Sequence, residues 1–283
     1  LRTINQLKNL FMALFDDVFH KQRVFGMLFF NIKAVLIYPT LDLLKVNNPQ
    51  MYERWKYLSK VKHAFDLDVI HAVAGTMTDE TAVYGQKIYE ENAVMHPEFV
   101  RIVAISYATL YTENGEVKRH LKKIVSDDEA MVIEQFMALL TEISSDDSQS
   151  TPQVFSILCG HNIISYDIPL LIKRFIVNRG KYQTIKSLPY LLKRALNIKP
   201  WESGIIDTVN VWKFNGFEYS PLMLIADFLG LKKSVSLETH ADLSKEYWAT
   251  VETDPKKALD FVSLQSATQT NLVIQLMNEM RQV

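Results

Sequence analysis

The sequence predicts an α/β protein, a mixed central sheet flanked by helices. Two observations predict it. Apolar runs of strand length, bounded by glycine or turn residues, are interspersed with longer segments of helical period. One pair of adjacent strands closes on an Asn114-Gly115 turn, whereas the later strands are separated by helices, so antiparallel and parallel pairings coexist.

Leu1 to Lys21 carries Ile4, Leu7, Leu10, Phe11, Leu14, Phe15 and Val18 at helical spacing, giving an N-terminal helical extension over residues 1–24 that packs on the domain or on a partner. Asp16 and Asp17 fit a targeting peptide poorly, and Leu1 in place of Met leaves the natural start open. One domain is expected over 25–283. Gly26 to Ile32 is a compact aromatic-rich run, the first strand, and Tyr38-Pro39-Thr40 breaks the chain after it. Asn48 to Asp66 is helical, with Met51, Trp55, Leu58 and Val61 on one side. Thr78 or Asp79 caps a helix that runs to about Asn92.

Arg101 to Tyr111 and Val117 to Val125 are the hairpin strands. Ser126-Asp127-Asp128-Glu129 caps an amphipathic helix to Ile143 with Met131, Ile133, Phe136, Leu139 and Leu140 facing inward. Ser144 to Gln153 is a polar surface connection. The run Val154 to Leu158 then leads into Cys159-Gly160-His161-Asn162-Ile163-Ile164-Ser165-Tyr166-Asp167, and a helix, Ile168 to Val177, leads out. Ser187 to Asn197 is a short helix and Gly204 to Thr208 a short strand ending at a cap. Helices starting at Ser220-Pro221 and Asp254-Pro255 end near Gly230 and Met280.

The chain is 48% hydrophobic and 22% charged, enough apolar residue for a large core, and its net charge of −1 gives no global field for nucleic acid. Lys118-Arg119-His120-Leu121-Lys122-Lys123 is locally basic. It reads as a solvated strand face that is also able to meet phosphates. One cysteine, Cys159, allows no internal disulfide and points to a reducing, intracellular compartment; a virion or assembly component stays open. No apolar run approaches the ~18 residues of a membrane span.

Asp167, where a helix begins after a strand and a tight loop, is a natural place to hold a metal, provided that it has partners. Gly160-His161-Asn162-x-x-x-Tyr166-Asp167-x-Pro169-x-Leu171 resembles the second motif of DEDD-type 3′-5′ exonucleases. The nearest likeness is to the predicted exonucleases similar to family B DNA polymerase proofreading domains, found in bacteria and their phages. Further segments agree in family order over about Phe25 to Met280. They are Leu28-Phe29-Phe30 with Tyr38-Pro39-Thr40, Glu98-Phe99-x-Arg101-Ile102-Val103-x-Ile105-Ser106, Lys199-Pro200-Trp201, Asp207-Thr208-x-x-x-Trp212-Lys213-Phe214, and Tyr247-Trp248 ahead of the last helix. The resemblance implies a ribonuclease H-like fold and two-metal phosphodiester chemistry, with two divalent cations about 4 Å apart held by four carboxylates.

Carried over residue by residue, the first-strand acid pair falls at Asn31 and Lys33, which share a strand face. The threonine that usually follows is Ala34. The second-motif acid is Asp167. The last motif's tyrosine and acid fall at Phe261 and Gln265. Three of four carboxylates are replaced, and the local charge falls from about −4 to about 0. Lys33 is expected to repel cations and pair with Asp167. Asp260, five helical residues before Gln265, lies roughly 140° off its face; Asp42 is not on the strand; Asp207 suits a helix cap. So many simultaneous changes fit natural loss of the site better than engineered inactivation.

His161 reads as a hydrogen-bonded loop residue, and Trp201, Trp212, Tyr247 and Trp248 as core rather than base-stacking platforms. Lys33, Asn162, Lys173 and Arg174, with Arg179, are the nucleic-acid-binding candidates. The expectation is a catalytically inactive exonuclease-like protein with no cofactor. It is retained for nucleic-acid binding or as a protein-interaction scaffold docked through the N-terminal helix. The alternative is a 3′-5′ exonuclease on DNA or RNA that uses two Mg or Mn ions with an atypical ligand set.

Overall fold

The structure is a computed structural model and describes residues 24–62, 79–144, 157–196, 204–214 and 216–281. It is α/β, with one mixed sheet of five strands in the order β3-β2-β1-β4-β5. The strands are β1 (Met27–Leu36), β2 (Val100–Glu113), β3 (Glu116–Val125), β4 (Ile157–Gly160) and β5 (Ile205–Asp207). β2 and β3 pair antiparallel from Ala104↔Val125 to Glu113↔Glu116, and β4 runs parallel to both β1 and β5. Asn114 and Gly115 close the hairpin with φ of 54° and 80°. That left-handed pair matches the strand twist, which is why Asn-Gly works there. The described residues fall into two compact units, one drawn from those within 24–32, 104–237 and 263–281, the other from those within 33–103 and 238–262.

In the first unit the sheet is covered on both faces. Alternation sends Met27 and Phe29 of β1 to one face, where they join Ala108 and Leu110 of β2, Cys159 and Ile206. There α8 (Leu222–Leu229) adds Leu222, Ile225 and Ala226, and the long α10 (Pro255–Met280) adds Leu272, Val273, Leu276 and Met277. On the opposite face Phe30 and Tyr107 meet Phe136 of α4 (Glu129–Ser144) at 5.5 and 6.2 Å between ring centres. Further helices of this unit are α5 (Ile168–Asn178), α6 (Tyr190–Ala195) and α7 (Thr208–Trp212). All ten β1 residues are buried, so this central strand is apolar on both faces except at Asn31 and Lys33.

The second unit holds α1 (Leu41–Asn47), α2 (Pro49–Lys62), α3 (Asp79–Ala93) and α9 (His240–Val251). Trp55, Tyr89 and Phe99 pack edge to face, and Tyr247 is fully buried. Arg101 donates to the Tyr247 hydroxyl at 2.8 Å, and Trp248 Nε1 donates to the Leu36 carbonyl at 2.9 Å.

Several elements differ from the sequence expectation. β1 continues to Leu36, four residues past Ile32, because Asn31 and Lys33 are buried within it. α1 and α9 were not expected; Thr40 and Thr239 cap them by accepting from Leu43 N and Asp242 N. In α4 Met131 points outward and is 38% exposed, while Val132 and Met137 take inward positions. Pro221 is the cap of α8 rather than its first residue. The N-terminal helix over 1–24, the polar connection after Ser144, Thr78, and the Lys199-Pro200-Trp201 segment lie outside the described residues, apart from Val24 and Ser144. Among the described residues no helix is long and apolar enough to cross a membrane.

Candidate functional site

β4 is only four residues long, and its register with β1 reaches Phe29↔Cys159. Beyond it the chain turns at Asn162, held left-handed at φ 63°, into one π-helical turn, Ile163–Asp167, continuous with α5. The turn places the Asp167 carboxylate against β1. Asp167 is 2% exposed, and its Oδ1 accepts from the Ile32 N–H at 2.9 Å. The carboxylate satisfies a backbone donor of the central strand beyond the point where β4 stops. Replacing Asp167 with Ala strands that buried donor and is expected to cost about 1–3 kcal/mol in urea unfolding, whereas Asn keeps an acceptor and loses less.

The rest of the loop is fastened by Asp207, the cap of α7. Its Oδ1 accepts from Asn162 N at 2.8 Å and Val209 N at 3.0 Å, and its Oδ2 from Ile164 N at 3.0 Å. Burial raises its carboxyl pKa, opposed by these three N–H donors. Asp207 is therefore a capping and loop-fastening group, as its sequence position predicts, and Asn162 meets it through its backbone.

His161 is also built in. Its Nε2–H donates to the Ser220 carbonyl at 3.2 Å, and in the neutral ring Nδ1 accepts from the Thr208 hydroxyl at 2.9 Å. Burial lowers its pKa to about 4, partly offset by the Ser220 bond. The unfolded imidazole titrates near 6.5, so between those values only the unfolded chain takes the proton. This contribution to stability is full above pH 6.5 and is lost as pH falls toward 4, at about 1.4 kcal/mol per unit. Melting curves at pH 7, 6 and 5 should show a steeper fall for the wild type than for His161→Gln.

Of the other positions of the resemblance, Asn31, Lys33 and Gln265 are buried. Asn31 is 3% exposed, and its Oδ1 accepts from Ser266 Oγ of α10 at 3.4 Å. Gln265 is equally buried and donates from Nε2 to the Ser236 carbonyl at 3.0 Å. In the second unit Lys33 is buried in β1, and its charge adds to the burial that lowers the His240 pKa to about 3. Phe261 is half-buried there and Asp260 is exposed.

Arg174 departs from its expected role as a phosphate ligand. It is 7% exposed, with Nε and Nη2 donating to the two Glu129 oxygens at 2.8 and 2.6 Å. The guanidinium is committed to an internal ion pair. Lys173 and Arg179 remain at the surface of α5 and its end.

Sequence reasoning missed Ser266. It bonds to Ser106 of β2, whose hydroxyl also meets Thr270 at 2.5 Å, so buried hydroxyls tie α10 to the sheet. The available signal was Ser266 and Thr270 at i and i+4, one helical face.

At the positions where the resemblance expects four carboxylates, the first unit holds two amides, Asn31 and Gln265, and one carboxylate, Asp167. Among the described residues no group of three or more His, Cys, Asp or Glu is gathered to hold a metal ion. In the first unit, positions 31 and 265 offer amides, and Asp167 Oδ1 already accepts from the backbone. No family model, curated protein or solved structure matches the chain.

Proposed function

We propose that this chain is a catalytically inactive, exonuclease-like protein of ribonuclease H-like fold, retained as a binding module for nucleic acid or a protein partner. The fold reading is supported by a sheet with a hairpin at one side and helix-separated parallel strands at the other. The observation that carries the loss of catalysis is the Asp167 contact. The one acid left from the motif pattern accepts from the Ile32 N–H at 2.9 Å, while Asn31 and Gln265 stand where carboxylates are required. The ion-paired Arg174 argues against this residue holding a phosphate.

A labelled single strand of DNA or RNA incubated with the full chain and Mg²⁺ or Mn²⁺ tests the reading. No shortening from the 3′ end is expected above the protein-free control. Metal-dependent shortening that Asp167→Ala abolishes would overturn it and establish an active exonuclease.

A further inference from the structure

We propose that edge strand β3 and the end of α10 form a binding surface for the phosphodiester backbone of a single-stranded nucleic acid. This site goes beyond the loss of catalysis and is separate in sequence and in the fold from the Asp167 loop.

The charge is concentrated here. β3 carries Lys118, Arg119, Lys122 and Lys123 against one carboxylate, Glu116, in a chain whose net charge is −1. β3 is the last strand of the sheet, so these side chains stand along an edge rather than inside a layer. Register then sorts them. Directly opposed residues of an antiparallel pair share a face. Tyr111↔Lys118, Thr109↔His120 and Tyr107↔Lys122 therefore share one face, where Tyr111, 40% exposed, stands beside Lys118; Arg119, opposite Leu110, lies on the other face of the edge. Cations that track a backbone beside a ring able to stack a base are the features single-strand binding requires.

A groove of about 750 Å³ adjoins them, lined by Tyr111, Lys118, Arg119, Asn278 and Arg281 among others. Arg281 supplies an independent pointer. Its Nε is buried and has no hydrogen-bond partner among the described residues. That atom is shut off from solvent, so what the groove wall offers an anionic oxygen is the charge of the half-buried guanidinium. Lys118 pairs with Glu113, but both are well exposed, and such a surface pair yields readily to phosphate.

Lysines on an edge strand also discourage edge-to-edge pairing. That role needs charge of either sign, whereas phosphate needs positive charge, so charge reversal separates the two. Fluorescence anisotropy of the full chain with a labelled 20-nucleotide oligo-dT or oligo-U, at 50 and 200 mM NaCl, reads it. About three phosphate contacts predict a roughly 20-fold weakening between those salts. R119E/K122E is expected to bind at least about tenfold more weakly at 50 mM. Its thermal melt should match the wild type, and Arg281→Met, which removes the cation and keeps the packing, should weaken binding as well. Wild-type binding that is absent or insensitive to salt, or a folded R119E/K122E that binds as the wild type does, would overturn the proposal. Adding Mg²⁺ keeps the two readings apart: a strand bound and shortened overturns only the inactive-site reading, and a strand neither bound nor cut overturns only this one.

Discussion

Arg174→Ala is expected to destabilise the protein by about 3–5 kcal/mol, the cost of removing one partner from a buried ion pair. The pair is 9% and 8% exposed at its side chains, and Asn178 Nδ2 adds a third donor to Glu129 Oε2 at 2.8 Å. Without the guanidinium the Glu129 carboxylate stays buried at the first turn of α4, beside the Asn178 amide but with no bidentate cation. Glu129→Ala should cost a similar amount by leaving the guanidinium unmatched. The double change Glu129→Leu with Arg174→Met replaces both charges by apolar groups and should lie closer to wild type than either alanine variant. Guanidinium unfolding of the four proteins checks this. A surface phosphate ligand would instead give a single-variant loss of under about 1 kcal/mol, and the double variant would show no recovery.

The second large effect is expected at Gly160, with Gly160→Ala costing about 2–3 kcal/mol in the same measurement. A Cβ built there lies 2.3 Å from Ile163 Cγ2 and 2.8 Å from the Phe30 carbonyl oxygen. One obstacle is a branched side chain close to its backbone, and the other is the backbone of β1. Neither can withdraw without shifting β4 or the π-helical turn, and that shift would carry Asp167 away from the Ile32 N–H. The glycine of the Gly-His-Asn stretch thus answers to close approach of two chain segments rather than to a left-handed turn; Asn162, two residues on, takes that conformation.

Much of the architecture was legible because its causes are local. The Asn114-Gly115 turn, the Asp207 cap and the entry into the last helix at Asp254-Pro255 each carry their own backbone chemistry. The short α1 offered little period, with Leu44 its only buried residue, so the break at Pro39 hid it. β1 was cut short because a lysine at position 33 reads as the end of an apolar run, although the strand continues with both faces covered. The π-helical turn has no local signature. Contacts with Ile32 and Asp207, 135 and about 45 residues away in sequence, hold its residues. The ion pair of Arg174 was equally out of reach, since its partner lies 45 residues upstream and helical spacing reports only that α5 bears a charge. The amides at positions 31 and 265, in contrast, are read directly from residue identity.

The bond from Asp167 to the central strand has a consequence for how such chains diverge. An acid that completes the folding of a strand is kept by selection on folding, whether or not it ever meets a cation. At positions 31, 33 and 265, where the resemblance expects the other acids, this chain carries Asn, Lys and Gln. In a lineage that abandons the reaction, the aspartate of the Gly-His-Asn motif should be the last of the set to go. Its presence then sorts sequences by ancestry and leaves their chemistry to be decided by the other three positions.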